Sequence, residues 1–404
     1  MAQWPISPGA IDYLFLTHAH IDHIGRVPEL IQNGFDGEII CSHPTKALLS
    51  PMLADAMQFS RLNEKTKDRI EKTIDDLSWG FEYGRPFDLE KGITFKLGRA
   101  GHILGSTFIR FQDDTIGWSV LFSGDLGAAD TPILPDPETP ETSDLVILES
   151  TYGDRLHGKR NQRIQQLGTI LTRALADGGK VFIPAFSLGR TQELIYEMDR
   201  IFSDPCYQEM FPELQKKGRP SVFVDSPLGL KITKIYSSLS EYWDKEAEDL
   251  NRRGDHPIDF EGLYTVGSHR DHLKICDVKG SVVILAGSGM CTGGRIIDHL
   301  RNGIDKREND ILFVGYQVGG STGRAIQKYA KKPGGYVDID GERKTINAHI
   351  HTLSAYSAHV DQKGLVDWVD AMPEKPGSIK LVHGETKARK ALSEILTRKG
   401  YKIR

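Results

Sequence analysis

The 404-residue sequence predicts an α/β protein in which a parallel α/β domain interrupts a β-rich first domain. Three observations predict it. Short β-type runs dominate up to about residue 159. Four strand–turn–helix units follow between 160 and 343. Beyond 343 the earlier style returns, so the first domain's closing piece comes last. The expected boundaries are 1–159, 160–343 and 344–404, and the length itself suits two domains, because single cores stop growing near roughly 250–300 residues.

Taken in order, residues 13–17 (Tyr-Leu-Phe-Leu-Thr) read as a buried strand, and "RVPELIQNG" as a helix ended by Gly34. The β-type runs are "GEIICS", "ITFKLG", "STFIRFQ", "WSVLFSG" and "DLVILES". Between the first two, "QFSRLNEKTKDRIEKTIDDL" reads as an exposed charged helix. "ADTPILPDPETPETSD" is rich in proline and acid and reads as a surface loop. The inserted units are "KVFIPAFSLGRTQELIYEM", "SVFVDSPLGLKITKIYSSL", "SVVILAGSGMCTGGRIIDHL" and "DILFVGYQVGGSTGRAIQKY". Near-continuous apolar strands that alternate with helices indicate a parallel sheet covered on both faces. The chain closes with "TINAHIHTLSAYSAH", a helix, "SIKLVHGE" and a last basic helix.

Composition narrows the function classes. With 39% hydrophobic and 26% charged residues, the chain is neither disordered nor fibrous. No apolar run approaches the roughly 20 residues that span a bilayer, so no membrane partner is expected. "MAQWPISPGA" lacks the basic and apolar regions of a secretory signal. Cys41, Cys206, Cys276 and Cys291 lie far apart without a CxxC pair, which predicts free thiols in a reducing cytoplasm and no zinc–thiolate site. A net charge of −4 requires any nucleic-acid contact to be a local basic patch. Composition leaves homo-oligomerisation open.

"THAHIDHIG" places His18, His20, Asp22 and His23 in one short loop. His18 and His20 lie two apart at a strand end and point the same way. Asp22 and His23 open a helix, so the loop can serve two neighbouring metals. A lone histidine is usually structural, whereas the whole H-x-H-x-D-H string is a metal pattern. It resembles the metallo-β-lactamase superfamily, and the other motifs of that family follow in order. "AGHILGST" supplies His102 and "LFSGDLG" supplies Asp125. "VILESTYG" (Glu149), "SAYSAHVD" (His359) and "KLVHGE" (His383) resemble motifs A, B and C of its β-CASP group, which contains RNA-cleaving nucleases.

The resemblance spans nearly the whole chain from residue 11. It implies an αββα sandwich with an inserted β-CASP domain that closes over the metal cleft. It also implies that His18, His20 and His102 hold one zinc, that Asp22, His23 and His383 hold the other, and that Asp125 bridges them. Ligands of this kind suit Zn²⁺, with Mn²⁺ admissible. The family normally has several strands, ending in a further aspartate, before the histidine loop. Only about ten residues precede the first strand here, so the expected sandwich lacks its first strands, through a misassigned start or a truncation.

The implied activity is ribonuclease action on single-stranded RNA, endonucleolytic with 5′ exonuclease action also possible for this group. Two metals about 3.5–4 Å apart stabilise the attacking and leaving oxygens, and zinc lowers the pKa of its water to roughly 7. The resemblance makes Asp22, Glu149 and His359 the catalytic set. His359 is the general acid and Glu149 orients its imidazole. The glycine-rich turns offer phosphate donors at helix N-termini: Ser187, Arg190 and Thr191; Ser288, Thr292 and Arg295; Ser321, Thr322 and Arg324. The alternative for each turn is simple strand-to-helix packing. Among competing functions, DNA-processing relatives usually lack a histidine at motif C, so His383 favours RNA. Lactamase- or thioesterase-type hydrolases lack the inserted domain, and a non-enzymatic scaffold would have lost ligands.

Overall fold

The computed structural model describes residues 4–158, 160–216 and 219–404. Contacts divide the chain into two compact units. The first comprises the chain up to Leu156 together with Leu239–Asp244 and Ala358–Arg404; the second comprises His157–Ser238 and Lys245–Ser357.

In the first unit, β1 (Tyr13–Phe15), β2 (Glu38–Ser42) and β3 (Ser78–Phe81) form a parallel sheet in that order. A second, mixed sheet has the order β17-β8-β7-β6-β5-β4. Its strands are β4 (Pro86–Asp88), β5 (Ile93–Arg99), β6 (Thr107–Asp113), β7 (Trp118–Phe122), β8 (Leu145–Glu149) and β17 (Ser378–Val382). The sheets meet through aromatic side chains. Phe15 and Phe81 lie with their ring centroids 5.1 and 5.2 Å from that of Phe95, and Ile40, Leu97 and Ile109 fill the remaining space. Helices His43–Gln58 and Glu64–Leu77 pack on the first sheet. Helices Gln362–Asp370 and Thr386–Arg398 bury Leu365, Val369, Leu392 and Leu396 with Val146, Leu148 and Ile379 of the second. Each such leucine contributes about 1.5–3 kcal/mol by leaving water. The result is the expected helix–sheet–sheet–helix layering.

Two expectations for this unit need correction. The charged helix begins at Glu64 and not at residue 58, because the Asn63 side chain accepts from Thr66 N and caps it there. The preceding His43–Gln58 helix was not expected; Pro44 in its first turn and Pro51 inside it mask its pattern. The proline-rich segment is also more than a surface loop, since Thr131, Ile133 and Leu134 are buried.

The second unit holds a six-stranded, wholly parallel sheet of order β11-β10-β12-β9-β13-β16. Its strands are β9 (Lys180–Pro184), β10 (Ser221–Asp225), β11 (Leu263–Thr265), β12 (Val282–Ala286), β13 (Asp310–Phe313) and β16 (His349–Thr352); β14 (Tyr336–Ile339) and β15 (Glu342–Thr345) form a separate hairpin. Every residue of β12 is buried, as its apolar run requires. Strand β16 falls outside the expected 160–343 insertion yet pairs with β13. It is an edge strand of mixed exposure, so its sequence lacks the apolar run that marks its neighbours. No helix among the described residues is long and apolar enough to cross a membrane.

Candidate metal centre

The first unit turns its strand ends into a cluster of imidazoles and carboxylates. His18 and His20 follow β1, and Asp22 and His23 lie on the short helix Ile21–Ile24. His102 follows β5, Asp125 follows β7, Glu149 ends β8 and His383 follows β17. Hydrogen bonds from Thr107 N and Oγ1 to Thr17 O tie the histidine loop to β6. The loops after β5 and β7 approach closely because Gly127 has no side chain: a Cβ there would lie 1.8 Å from Gly101 O.

Seven side chains meet as the motif order implies. His20 Nδ1 lies 3.1 Å from His102 Nε2, and His18 Nε2 lies 3.5 Å from Asp125 Oδ2. His23 Nε2 lies 3.3 Å from the same Asp125 oxygen and 3.3 Å from His383 Nε2. His383 Nε2 is 3.3 Å from Asp22 Oδ2. The donor atoms of His18, His20, His102 and Asp125 form one compact set, and those of Asp22, His23 and His383 a second. The first set is almost sealed, whereas the Asp22 side chain is 60% exposed. The centre therefore has a closed floor and an open mouth.

These residues fit metal ions. His18 Nε2 and Asp125 Oδ1 are buried without a hydrogen-bond partner among the described residues, which is costly unless a cation binds there. Burial holds His18 and His102 well below the ordinary imidazole range and His20 at about 4, so all three are in the neutral ligand form. Burial opposes ionisation of Asp125, but its bond with His23 and the neighbouring His18 and His102 hold its carboxyl well below the usual range. The donors are imidazole and carboxylate throughout, the set that zinc accepts.

Glu149 and His359 lie beside this cluster. An antiparallel bridge between Gly127 and His359 and a 2.8 Å bond from Val360 N to Leu126 O seat the His359 loop. His359 Nδ1 lies 3.2 Å from Glu149 Oε1, and its Nε2 lies 3.9 Å from Asp125 Oδ2. Glu149 is itself fixed, because Oε1 accepts from Leu126 N at 2.6 Å. Burial would lower the His359 pKa, but the Glu149 charge and hydrogen bond outweigh it and the imidazole binds its proton more tightly than usual. His383 is raised to about 9, first by its bond with Asp22.

Sequence reading missed Thr151. Its hydroxyl reaches His383 Nδ1 at 3.0 Å and also donates to His383 O at 3.0 Å. That second bond helps hold His383 in a left-handed conformation, φ +49°. The "EST" sequence of motif A places Thr151 two residues beyond Glu149, and this spacing was the available signal.

The phosphate turns fare differently from one another. All three follow neighbouring strands β12, β9 and β13, so they share one edge of the second sheet. Arg190 is buried and paired with Glu193, Thr191 donates to Phe186 O, and Arg295 donates to Asp225 Oδ1, Val266 O and Gly267 O. These three side chains are engaged in holding the fold, which favours the packing alternative for their turns over phosphate binding. Ser321 caps its own helix by accepting from Arg324 N. Ser187 contacts Ser226 within the fold; Ser288 is part-exposed and Thr292 exposed, and their hydroxyls lie 3.3 Å apart. Thr322 is part-exposed and Arg324 exposed. Arg190→Ala is therefore expected to destabilise the protein by about 3–5 kcal/mol, the usual cost of stranding a buried charge. A denaturant midpoint unchanged from wild type would return Arg190 to the set of phosphate donors.

A sandwich that gathers five histidines and two aspartates at its strand ends has the donor set of a metal-dependent hydrolase. Comparison with known proteins narrows the class. A family model described as "Metallo-beta-lactamase superfamily" matches residues 1–157, "Beta-Casp domain" matches 191–326, and "Zn-dependent metallo-hydrolase RNA specificity domain" matches 343–404. Ribonuclease TTHA0252 of Thermus thermophilus is 33% identical over 402 residues, which cover 100% of this chain and 88% of that protein. Transcription termination factor FttA of Methanocaldococcus jannaschii is 30% identical over 93% of this chain, and its Pyrococcus abyssi counterpart is 28% identical over 95%. The alignments cover 58% and 59% of those two proteins. The chain belongs to the β-CASP ribonuclease family of the metallo-β-lactamase superfamily.

Proposed function

We propose that the chain hydrolyses phosphodiester bonds of single-stranded RNA with two zinc ions in this centre. His18, His20 and His102 would hold one ion, Asp22, His23 and His383 the other, and Asp125 both. The ions would supply Lewis-acid stabilisation of the charge that develops on the phosphate oxygens and a hydroxide source at neutral pH. Everything else falls to the protein. His359 delivers a proton from Nε2 to the departing 3′-oxygen. Glu149 accepts from His359 Nδ1–H and fixes which nitrogen faces the substrate. Thr151 holds His383 in place through its Nδ1 side and its carbonyl. The observation that carries this reading is the 3.9 Å approach of His359 Nε2 to Asp125 Oδ2, with Glu149 behind the ring. Exposed donors at Thr292 and Arg324 serve a backbone-tracking surface that reads little sequence.

At matched salt, purified protein is expected to cleave labelled single-stranded RNA far faster than duplex RNA or single-stranded DNA. Salt must be fixed because phosphate contacts make affinity steeply ionic-strength dependent. Equal rates on RNA and DNA would overturn the substrate assignment, and no cleavage of any strand by zinc-replete protein would overturn the activity.

A further inference from the structure

The second unit carries another cluster with metal-ligand chemistry, and it uses a cysteine. Helix His269–Cys276 presents His272 and Cys276 four residues apart on one face, and helix Ile296–Gly303 presents Asp298 and His299. Beneath both helices the fully buried Asp225 ends β10. Its Oδ2 lies 2.6 Å from His272 Nδ1 and 2.6 Å from His299 Nε2, while Arg295 donates to Oδ1 at 2.7 Å. A carboxylate that takes the Arg295 bond only accepts, so both imidazoles carry their protons on the Asp225 side. In neutral imidazoles the opposite nitrogens are lone pairs, and here these nitrogens converge. His272 Nε2 lies 3.7 Å and His299 Nδ1 lies 3.9 Å from Cys276 Sγ, and Asp298 Oδ2 lies 3.1 Å from His272 Nε2.

We infer that His272, Cys276 and His299 form a separate three-ligand site for one divalent, borderline-soft ion of the zinc type, with the part-exposed side left for a fourth donor. Zinc–sulfur bonds of about 2.3 Å and zinc–nitrogen or –oxygen bonds of about 2.0–2.2 Å imply ligand-to-ligand edges of roughly 3.3–3.6 Å. The two nitrogen–sulfur separations, 3.7 and 3.9 Å, lie just above that range, so the three ligands need close by only a few tenths of an ångström around an ion. Asp225 supplies the carboxylate–histidine support that fixes imidazole tautomers at metal sites, here for two ligands at once. A single thiol proton could face only one of the two nitrogens, whereas a cation satisfies both. On binding, the metal–sulfur bond replaces the S–H bond and the proton leaves to solvent. His272 and His299 are buried, but Cys276 and Asp298 are part-exposed and leave an entry path. The site clasps two helices over the end of β10, a structural role independent of the RNA-cleaving centre. The sequence reading expects no zinc–thiolate site because there is no CxxC pair; here the partners of the cysteine come from a helical turn away and from a second helix.

Cobalt(II) reconstitution of the full chain tests the site without relying on activity. A thiolate bound to cobalt gives a near-ultraviolet charge-transfer band, and the seven-ligand centre of the first unit contains no sulfur. The band is expected in wild type at one thiolate per chain, retained in His383→Ala and lost in Cys276→Ser. Its absence from metal-saturated wild type would overturn the proposal, as would its persistence in Cys276→Ser. Should Cys276→Ser fail to fold, protection of Cys276 from thiol labelling by added zinc decides the matter in wild type. Labelling at the same rate with and without zinc would overturn the proposal.

Discussion

Replacing His359 by alanine is expected to cut RNA turnover by about 10²–10⁴-fold while both metal positions of the first unit stay filled. That range is the usual contribution of general acid catalysis. The reason lies in the geometry: His359 reaches Glu149 with Nδ1 and faces the cluster with Nε2, 3.9 Å from Asp125 Oδ2, outside both ligand sets. His383→Ala should behave differently. His383 Nε2 sits 3.3 Å from both His23 Nε2 and Asp22 Oδ2, so its loss should empty one position. Metal analysis of the two variants, beside their turnover, separates the roles. The His359→Ala defect should also shrink on a nitrophenyl phosphodiester, whose leaving group needs no proton. A metal ion lost from His359→Ala would move that residue into the ligand set.

Asp125→Asn is expected to weaken both metal positions and to lower turnover by at least about 10³-fold. The substitution keeps size and removes charge. One Asp125 oxygen lies within 3.3–3.7 Å of His18, His23 and His102, so a single carboxylate faces imidazoles of both sets. Metal ions contribute several kcal/mol of charge stabilisation in such reactions, and each 1.36 kcal/mol is a tenfold rate. Measurement requires elemental analysis before and after zinc is added back. Full occupancy at both positions with wild-type turnover would remove Asp125 from the bridging role.

The sequence by itself determined most of the first centre, because its chemistry is written locally. His18, His20, Asp22 and His23 occupy one loop, and a strand end followed by a helix start leaves few ways to point them. It also determined the layering, since the apolar runs of β9, β12 and β13 permit only a sheet buried on both faces. Tertiary structure alone decided the rest. Arg295 looks like any arginine in a glycine-rich turn, yet it meets Asp225 on another strand, a carboxylate that pattern reading cannot place, and the burial of Arg190 with its i,i+3 partner Glu193 is likewise invisible in their spacing. Strand β16 is polar and joins the sheet through its backbone, so nothing in its side chains announces it. The Cys276 cluster draws residues from β10 and two helices, 74 positions apart at its widest. Short-range patterns reveal ligands that one loop brings together, whereas contacts between distant segments exist only once packing has brought their elements to a common point.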